Sequence, residues 1–220
     1  MTGKELNCSL KMPRKKVRQE NIKNEDSSIY IDEYLGGILS ALFQLSKKDI
    51  SETIKILVNL KKRHGRLFVL GVGGGAANSS HAVTDFRKIA GIEAYAPTDN
   101  VSELTARTND DGWETIFVNW LKVSNLTSKD AIFILSVGGG NLEKNISLNI
   151  IDALKYAKEV KTSILGIVSR DGGYTKQVAD ACIMVPVIKD DFITPFAESF
   201  QAIIWHLLVF SPELREIEPY

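Results

Sequence analysis

The chain is short of cysteine, of unbalanced charge and of long apolar runs, and each shortage removes a class of protein. Only Cys8 and Cys182 occur in 220 residues. They are too few and too far apart for a disulfide framework, and they form no CxxC pair for zinc or redox chemistry, so a reducing, cytoplasmic setting is expected. Lys plus Arg number 27 and Asp plus Glu number 27, a net charge of zero. A dedicated nucleic-acid binder carries a basic excess, so no nucleic acid is expected as a partner. No run approaches the ~18 apolar residues that span a bilayer, so no membrane is expected either. Residues 1–8 are polar and no apolar stretch follows, which predicts no secretory leader. What remains, at 44% hydrophobic and 25% charged residues, has the composition of an ordinary globular protein. The length suits one domain with a sizeable core.

Residues 1–28 stand apart. Lys4, Lys11, Arg14, Lys15, Lys16, Arg18 and Lys23 face Glu5, Glu20, Glu25 and Asp26, a net +3. Apolar periodicity is weak there, which predicts a basic, loosely ordered arm. Residues 29–220 then form one domain with a net charge of −3.

That domain opens with two amphipathic helices. Ile31, Tyr34, Leu35, Ile38, Leu39, Leu42 and Leu45 recur at helical spacing. A second helix is predicted over 47–64, capped by Asp49 or Ser51. Short apolar runs then alternate with helical patterns. The runs are Arg66 to Val72, Ala131 to Val137, Ser163 to Val168 and Ala181 to Pro186, with a shorter candidate at 93–96. Helices are predicted at 76–89, 113–121, 145–160, 175–179 and 195–210. Continuous apolar strands alternating with helices imply an α/β fold, a three-layer α/β/α sandwich around a central parallel sheet. Ligands in such folds bind beyond the carboxyl ends of the strands.

Two triple-glycine loops fall at those ends, Gly73-Gly74-Gly75 and Gly138-Gly139-Gly140. Such loops aim several backbone N–H groups at one point, and a following helix adds partial positive charge, so they suit a phosphate. The full GxGxxG pattern and the Walker A lysine are both missing, which disfavours a dinucleotide or a nucleoside triphosphate. Around the loops gather Asn78, Ser79, Ser80, Asp99, Asn100, Asn109, Asp110, Ser136 and Asn141, a set suited to a small hydroxylated, phosphorylated ligand. A domain with a net negative charge must hold such an anion with aimed amides.

Histidines number three: His64, His81 and His206. His64 reads as a helix C-terminal residue. His81 and Asp85, four apart on one helix, share a face. They suit either a metal or proton-transfer pair, or a plain hydrogen-bonded pair. Glu198 and His206 lie in the apolar last helix. Burial would bring a lone Glu and a lone His toward neutral pKa, as a general acid and base need, and a satisfied core histidine fits the same features.

Gly71-Val72-Gly73-Gly74-Gly75-Ala76-Ala77, His81 with an acid four residues on, Thr98-Asp99-Asn100, Asn109-Asp110, the Ser136 loop, Arg170-Asp171-Gly172-Gly173, Val185-Pro186 and the terminal His206 together resemble sugar isomerase (SIS) domains. The resemblance spans roughly residues 30–210 and is nearest to the phosphoheptose isomerase branch. It implies a homotetramer that interconverts sedoheptulose 7-phosphate and a heptose 7-phosphate through an enediol. It also implies a zinc held by a helix His, a Glu one turn later, and a Gln and a His on the last helix. Those positions are His81, Asp85, Glu198 and His206 here. Asp85 would be the proton-abstracting base and His206 its acid–base partner. Two departures are visible. The Glu has become Asp85 and the Gln has become Glu198, so either carboxylate could be the base. The phosphate loop, usually Ser-Thr-Ser-Gly-Asn-Ser, is Ser136-Val137-Gly138-Gly139-Gly140-Asn141, with two hydroxyl donors fewer.

The expected function is thus an aldose–ketose isomerase, with phosphate at Gly74, Gly75, Ser136, Gly139 and Asn141 and with Asp85, Glu198 and His206 as catalytic groups. Two alternatives are a non-catalytic SIS-domain regulator that binds a replication-initiation type of protein, and an isomerase for another phosphosugar.

Overall fold

A computed structural model describes residues 27–216. The basic arm therefore lies outside the described residues, apart from Ser27 and Ser28, which already belong to the first helix. The helices are α1 (Ser27–Gln44), α2 (Lys47–Lys62), α3 (Gly74–Lys88), α4 (Val101–Asp110), α5 (Ile116–Val123), α6 (Leu148–Glu159), α7 (Gly173–Val178) and α8 (Ile193–Val209). The strands are β1 (Leu67–Gly71), β2 (Ala94–Tyr95), β3 (Ala131–Leu135), β4 (Ser163–Val168) and β5 (Ala181–Met184). They form one parallel sheet in the order β2-β1-β3-β4-β5.

The apolar runs become central strands because both faces of the sheet are covered. Alternate residues of a strand point to opposite faces. Leu67, Val69, Phe133 and Leu135 meet α2, α3 and α8 through Leu57, Leu60, Phe86, Phe200, Ile204 and Leu208. Phe68, Leu70, Ile132 and Ile134 meet α5 and α6 through Phe117, Leu121, Ile150 and Leu154. These are the three layers expected from the sequence. The stretch Asp190–Val209 is long and apolar enough to cross a membrane, but half of it is buried inside this fold. It is the core helix under the first face.

Three local expectations are corrected. The cap of α2 is Ser46, whose hydroxyl accepts the Asp49 N–H, because only the residue before the first turn can reach that free amide. Helix α4 was not expected: it buries no residue, so it has no apolar stripe to read, and Asn100 caps it. Helix α6 begins at Leu148, not near 145, because Asn141 and Ile146 first pair as a small antiparallel bridge.

One ion pair with a buried carboxylate locks the end of the sheet opposite the glycine loops. Asp130, just before β3, accepts the Arg66 backbone N–H and both Nε and Nη2 of its guanidinium, together with the Thr127 N–H and hydroxyl. Burial pushes this carboxyl up, but Arg66 and the two backbone donors outweigh burial and hold it below its ordinary value. Its stabilisation is therefore complete above the unfolded carboxylate value of ~3.9 and is lost as pH falls through the lower folded value. Asp130→Asn is expected to cost about 3 kcal/mol of unfolding free energy at pH 7. The gap from wild type should close in acid below about pH 4. Urea titrations of both proteins at pH 7 and in acid measure it, and a gap that stays constant with pH would contradict the assignment.

Candidate active site

Strand order reverses between β1 and β3, since the chain leaves β1 toward β2 and returns to β3 on its other side. Loops diverge there and open a crevice at the carboxyl ends of the strands. Both triple-glycine loops lie at that crevice.

The first loop turns tightly from β1 into α3. Gly73 sits at φ +61°, where a side chain would be strained. Gly75 passes so close to β3 that a Cβ there would stand 2.4 Å from the Leu135 carbonyl oxygen. A Cβ on Gly74 would lie 2.4–2.5 Å from the Glu198 carboxylate atoms, so that carboxylate stands over the loop. Asn78 holds α8 in this register, donating from Nδ2 to the Glu198 carbonyl at 2.9 Å and to Gln201 Oε1 at 2.8 Å.

The second loop is built differently. It leads into the small bridge and not directly into a helix, so the expected helix N-terminus is not at its end. Ser136 Oγ accepts the Gly139 N–H at 3.1 Å. The Gly139 carbonyl accepts the Thr175 N–H and hydroxyl, and the Gly140 carbonyl accepts the Tyr174 N–H. Asn141 Oδ1 accepts the Lys144 N–H at 2.8 Å. Beside the loop is a cleft of about 240 Å³ that includes Gly138, Gly140, Asn141, Lys144, Arg170 and Asp171.

A third group forms where α3 meets α8. Asp85, His81 and His206 present ligand atoms within 4.8 Å of one another. Trp205 Nε1 donates to Asp85 Oδ2 at 2.9 Å, and His206 Nε2 and His81 Nε2 stand 3.2 Å and 3.6 Å from the same oxygen. The Asp85 side chain is 12% exposed, whereas those of His81 and His206 are 59% and 43% exposed. An enclosed carboxylate thus orients two imidazoles that remain open to a ligand. Two nitrogens and one oxygen, with a buried N–H steadying the carboxylate, are a donor set that could hold a metal ion. Glu198 stands outside this group.

The remaining predicted residues disperse. Ser80 Oγ hydrogen-bonds Asp99 by a short contact. Asn100 is spent on capping α4. Asn109 and Asp110 are exposed on the last turn of α4 and bond to each other. Sequence reasoning missed the indole of Trp205, whose signal was only its place one residue before His206. It also assigned no role to Gln201, fully buried on α8, nor to Lys144 and Arg170. Burial pushes the Cys182 thiol up to about 11, away from the reactive thiolate form.

No family model matches the chain. The phosphoheptose isomerase of Helicobacter pylori is 27% identical over 164 residues, covering 72% of this chain and 80% of that protein. That of Geotalea daltonii is 29% identical over 176 residues, covering 78% and 86%. Among solved structures, phosphoheptose isomerase from Neisseria gonorrhoeae superposes with a TM-score of 0.71 at 22% identity, over 83% of this chain and 95% of that one. The Francisella tularensis enzyme superposes with a TM-score of 0.69 at 19% identity, over 83% and 94%. Five parallel strands with glycine loops at the reversal point give the chain the same fold as these phosphoheptose isomerase structures. In sequence it is similar to curated phosphoheptose isomerases at 27–29% identity.

Proposed function

We propose that the protein is an aldose–ketose isomerase for a sugar phosphate, with sedoheptulose 7-phosphate and a heptose 7-phosphate as its pair. The observation that carries the reading is the convergence of His206 and His81 on the enclosed Asp85 carboxylate where α3 meets α8. A carboxylate, Asp85 or Glu198, takes the proton from the carbon next to the carbonyl. The electron pair left behind forms the enediol as the carbonyl oxygen gains a proton. His206 moves the proton between the two oxygens, and return of a proton to the neighbouring carbon gives the isomer. His81, Asp85 and His206 would hold a zinc ion, which when bound would polarise the carbonyl.

A homotetramer and a cytoplasmic setting belong to the same proposal. Support for assembly comes from α1, whose Leu35, Leu39 and Phe43 are exposed, Phe43 at 86%. Apolar faces of this extent mark interaction surfaces.

The test is turnover of sedoheptulose 7-phosphate and of shorter ketose phosphates, with and without added zinc, following aldose formation. Turnover of the heptulose phosphate is the expected result, and none with any substrate would sink the enzyme reading. Asp85→Asn and Glu198→Gln, assayed side by side, identify the base as the one whose loss abolishes proton exchange at the substrate carbon. Loss in neither would remove both carboxylates from the role.

A further inference from the structure

The buried side of α8 is mostly apolar, through Phe196, Phe200, Ile204 and Leu208, and two of its buried residues carry polar side chains, Gln201 and Trp205. Each answers a group on α3. Gln201 Oε1 accepts from Asn78 at 2.8 Å and so serves the first glycine loop. Trp205, 1% exposed, donates from Nε1 to Asp85 Oδ2. A buried indole N–H without an acceptor costs free energy, and so does an enclosed carboxylate without a donor. The two satisfy each other across the interface of the helices.

This bond makes the two carboxylate oxygens unequal. Oδ2 is crowded, with the indole and both imidazole nitrogens around it. Among the described residues no hydrogen bond reaches Oδ1, and Oδ1 is not one of the buried polar atoms left without a partner, so it keeps access to solvent. Of the three groups at Oδ2, the indole is the fixed one. Its Nε1 is a donor only. Each imidazole is open to solvent and changes partner or protonation as a ligand arrives. The indole also braces both of them. Its ring centre lies 5.2 Å from that of His81, with the planes at 67°, and 5.1 Å from that of His206, with the planes at 42°. One buried side chain therefore touches all three members of the group.

We propose that Trp205 is a positioning residue of this site: its indole N–H pins Asp85 Oδ2 against α8, so that Oδ1 is the carboxylate oxygen presented to the substrate. Without the N–H, the carboxylate is free to rotate toward the imidazoles, hydrogen-bond them through either oxygen and draw the rings out of place. Trp205 touches no substrate and acts through Asp85, as an outer partner of a working carboxylate does. The proposal rests on the isomerase reading for its kinetic consequence, and not for the hold of the indole on the carboxylate.

The experiment places 3-benzothienylalanine at position 205, which keeps the bicyclic shape and puts sulfur where the N–H stood, and compares it with Trp205→Phe and the wild type. Three readouts are taken: kcat and KM for sedoheptulose 7-phosphate, the thermal melt, and the proton–nitrogen spectrum of the indole N–H groups. The isosteric variant is expected to lose about tenfold to a hundredfold in kcat, the range for loss of an outer hydrogen-bond partner. Its KM should stay within about twofold, since no substrate contact is removed. Its melt should hardly move, because the packing is kept. Trp205→Phe should lose kcat by a similar factor and also melt earlier, because the smaller ring leaves a void. In the wild type the Trp205 indole proton should lie downfield of that of the exposed Trp113. It should move upfield in Asp85→Asn, whose neutral amide accepts a weaker bond. A kcat within twofold of wild type in the isosteric variant, or an indole proton that ignores Asp85→Asn, would overturn the proposal. An indole proton that responds to Asp85→Asn in a protein that turns nothing over would uphold the hold on Asp85 and sink the isomerase reading.

Discussion

Replacing His206 with alanine is expected to lower kcat by about a hundredfold to ten-thousandfold, the range seen when a positioned acid–base group is lost. The geometry makes the effect a chemical one. His206 Nε2 lies 3.2 Å from Asp85 Oδ2, so the ring is held, yet 43% of the side chain faces outward. A half-exposed imidazole contributes little to the core, so thermal unfolding should move by only a few degrees. The buried neighbour Trp205 keeps its hydrogen bond to Asp85 at 2.9 Å in the variant, which leaves the carboxylate oriented. Steady-state kinetics beside a thermal melt checks this. Unchanged kcat would remove His206 from the proton path, and a collapse of the melt would make its role structural.

Gly173→Ala should be strongly destabilising. An added Cβ would stand 2.2 Å from the Gly140 carbonyl oxygen and 2.3 Å from that of Gly138, both backbone atoms that cannot swing away. Gly173 also sits at φ +51°. Backbone strain and overpacking each cost roughly 1–3 kcal/mol, so the loss should be about 2–5 kcal/mol of stability. The same clash pries α7 from the loop and breaks the Tyr174 and Thr175 bonds to the glycine carbonyls. Gly138→Ala is the contrast. Its Cβ would meet only Arg170 Cδ at 3.9 Å, an ordinary contact, so stability should stay within about 0.5 kcal/mol of wild type. Denaturant titration of the two variants measures the difference. Equal losses would show that crowding at the second loop is not what selects glycine at 173.

Neighbouring glycines thus look alike in the sequence and differ in what surrounds them. A glycine run reports only that the backbone turns sharply. Whether a Cβ is forbidden depends on atoms brought up from β3, α7 or α8.

The elements show the same division. Strands β1, β3 and β4 were legible because each is a continuous apolar run, as a strand covered on both faces must be. Helix α8 was legible from its apolar content. Helix α4 was not, because no residue of it is fully buried and only Leu104 packs on the core. The bridge at Asn141 and Ile146 was missed because two hydrogen bonds across five residues leave no periodicity.

By itself the sequence determined the layers, the place of the two loops at the strand ends, and the shared face of His81 and Asp85. Each of these follows from local spacing, and local geometry is what a helix or strand repeats. Tertiary structure alone decided which distant groups meet. His206 and Trp205 reach Asp85 from about 120 positions away only because α8 packs on α3 beneath the sheet. The same packing lays Glu198 over Gly74, while Arg170 and Lys144 flank the other loop. Charge of both signs is spread along a chain whose formal total is zero. The fold sorts it, placing an anion at one glycine loop and cations at the other, because electrostatic interaction depends on distance in space and not on separation along the chain.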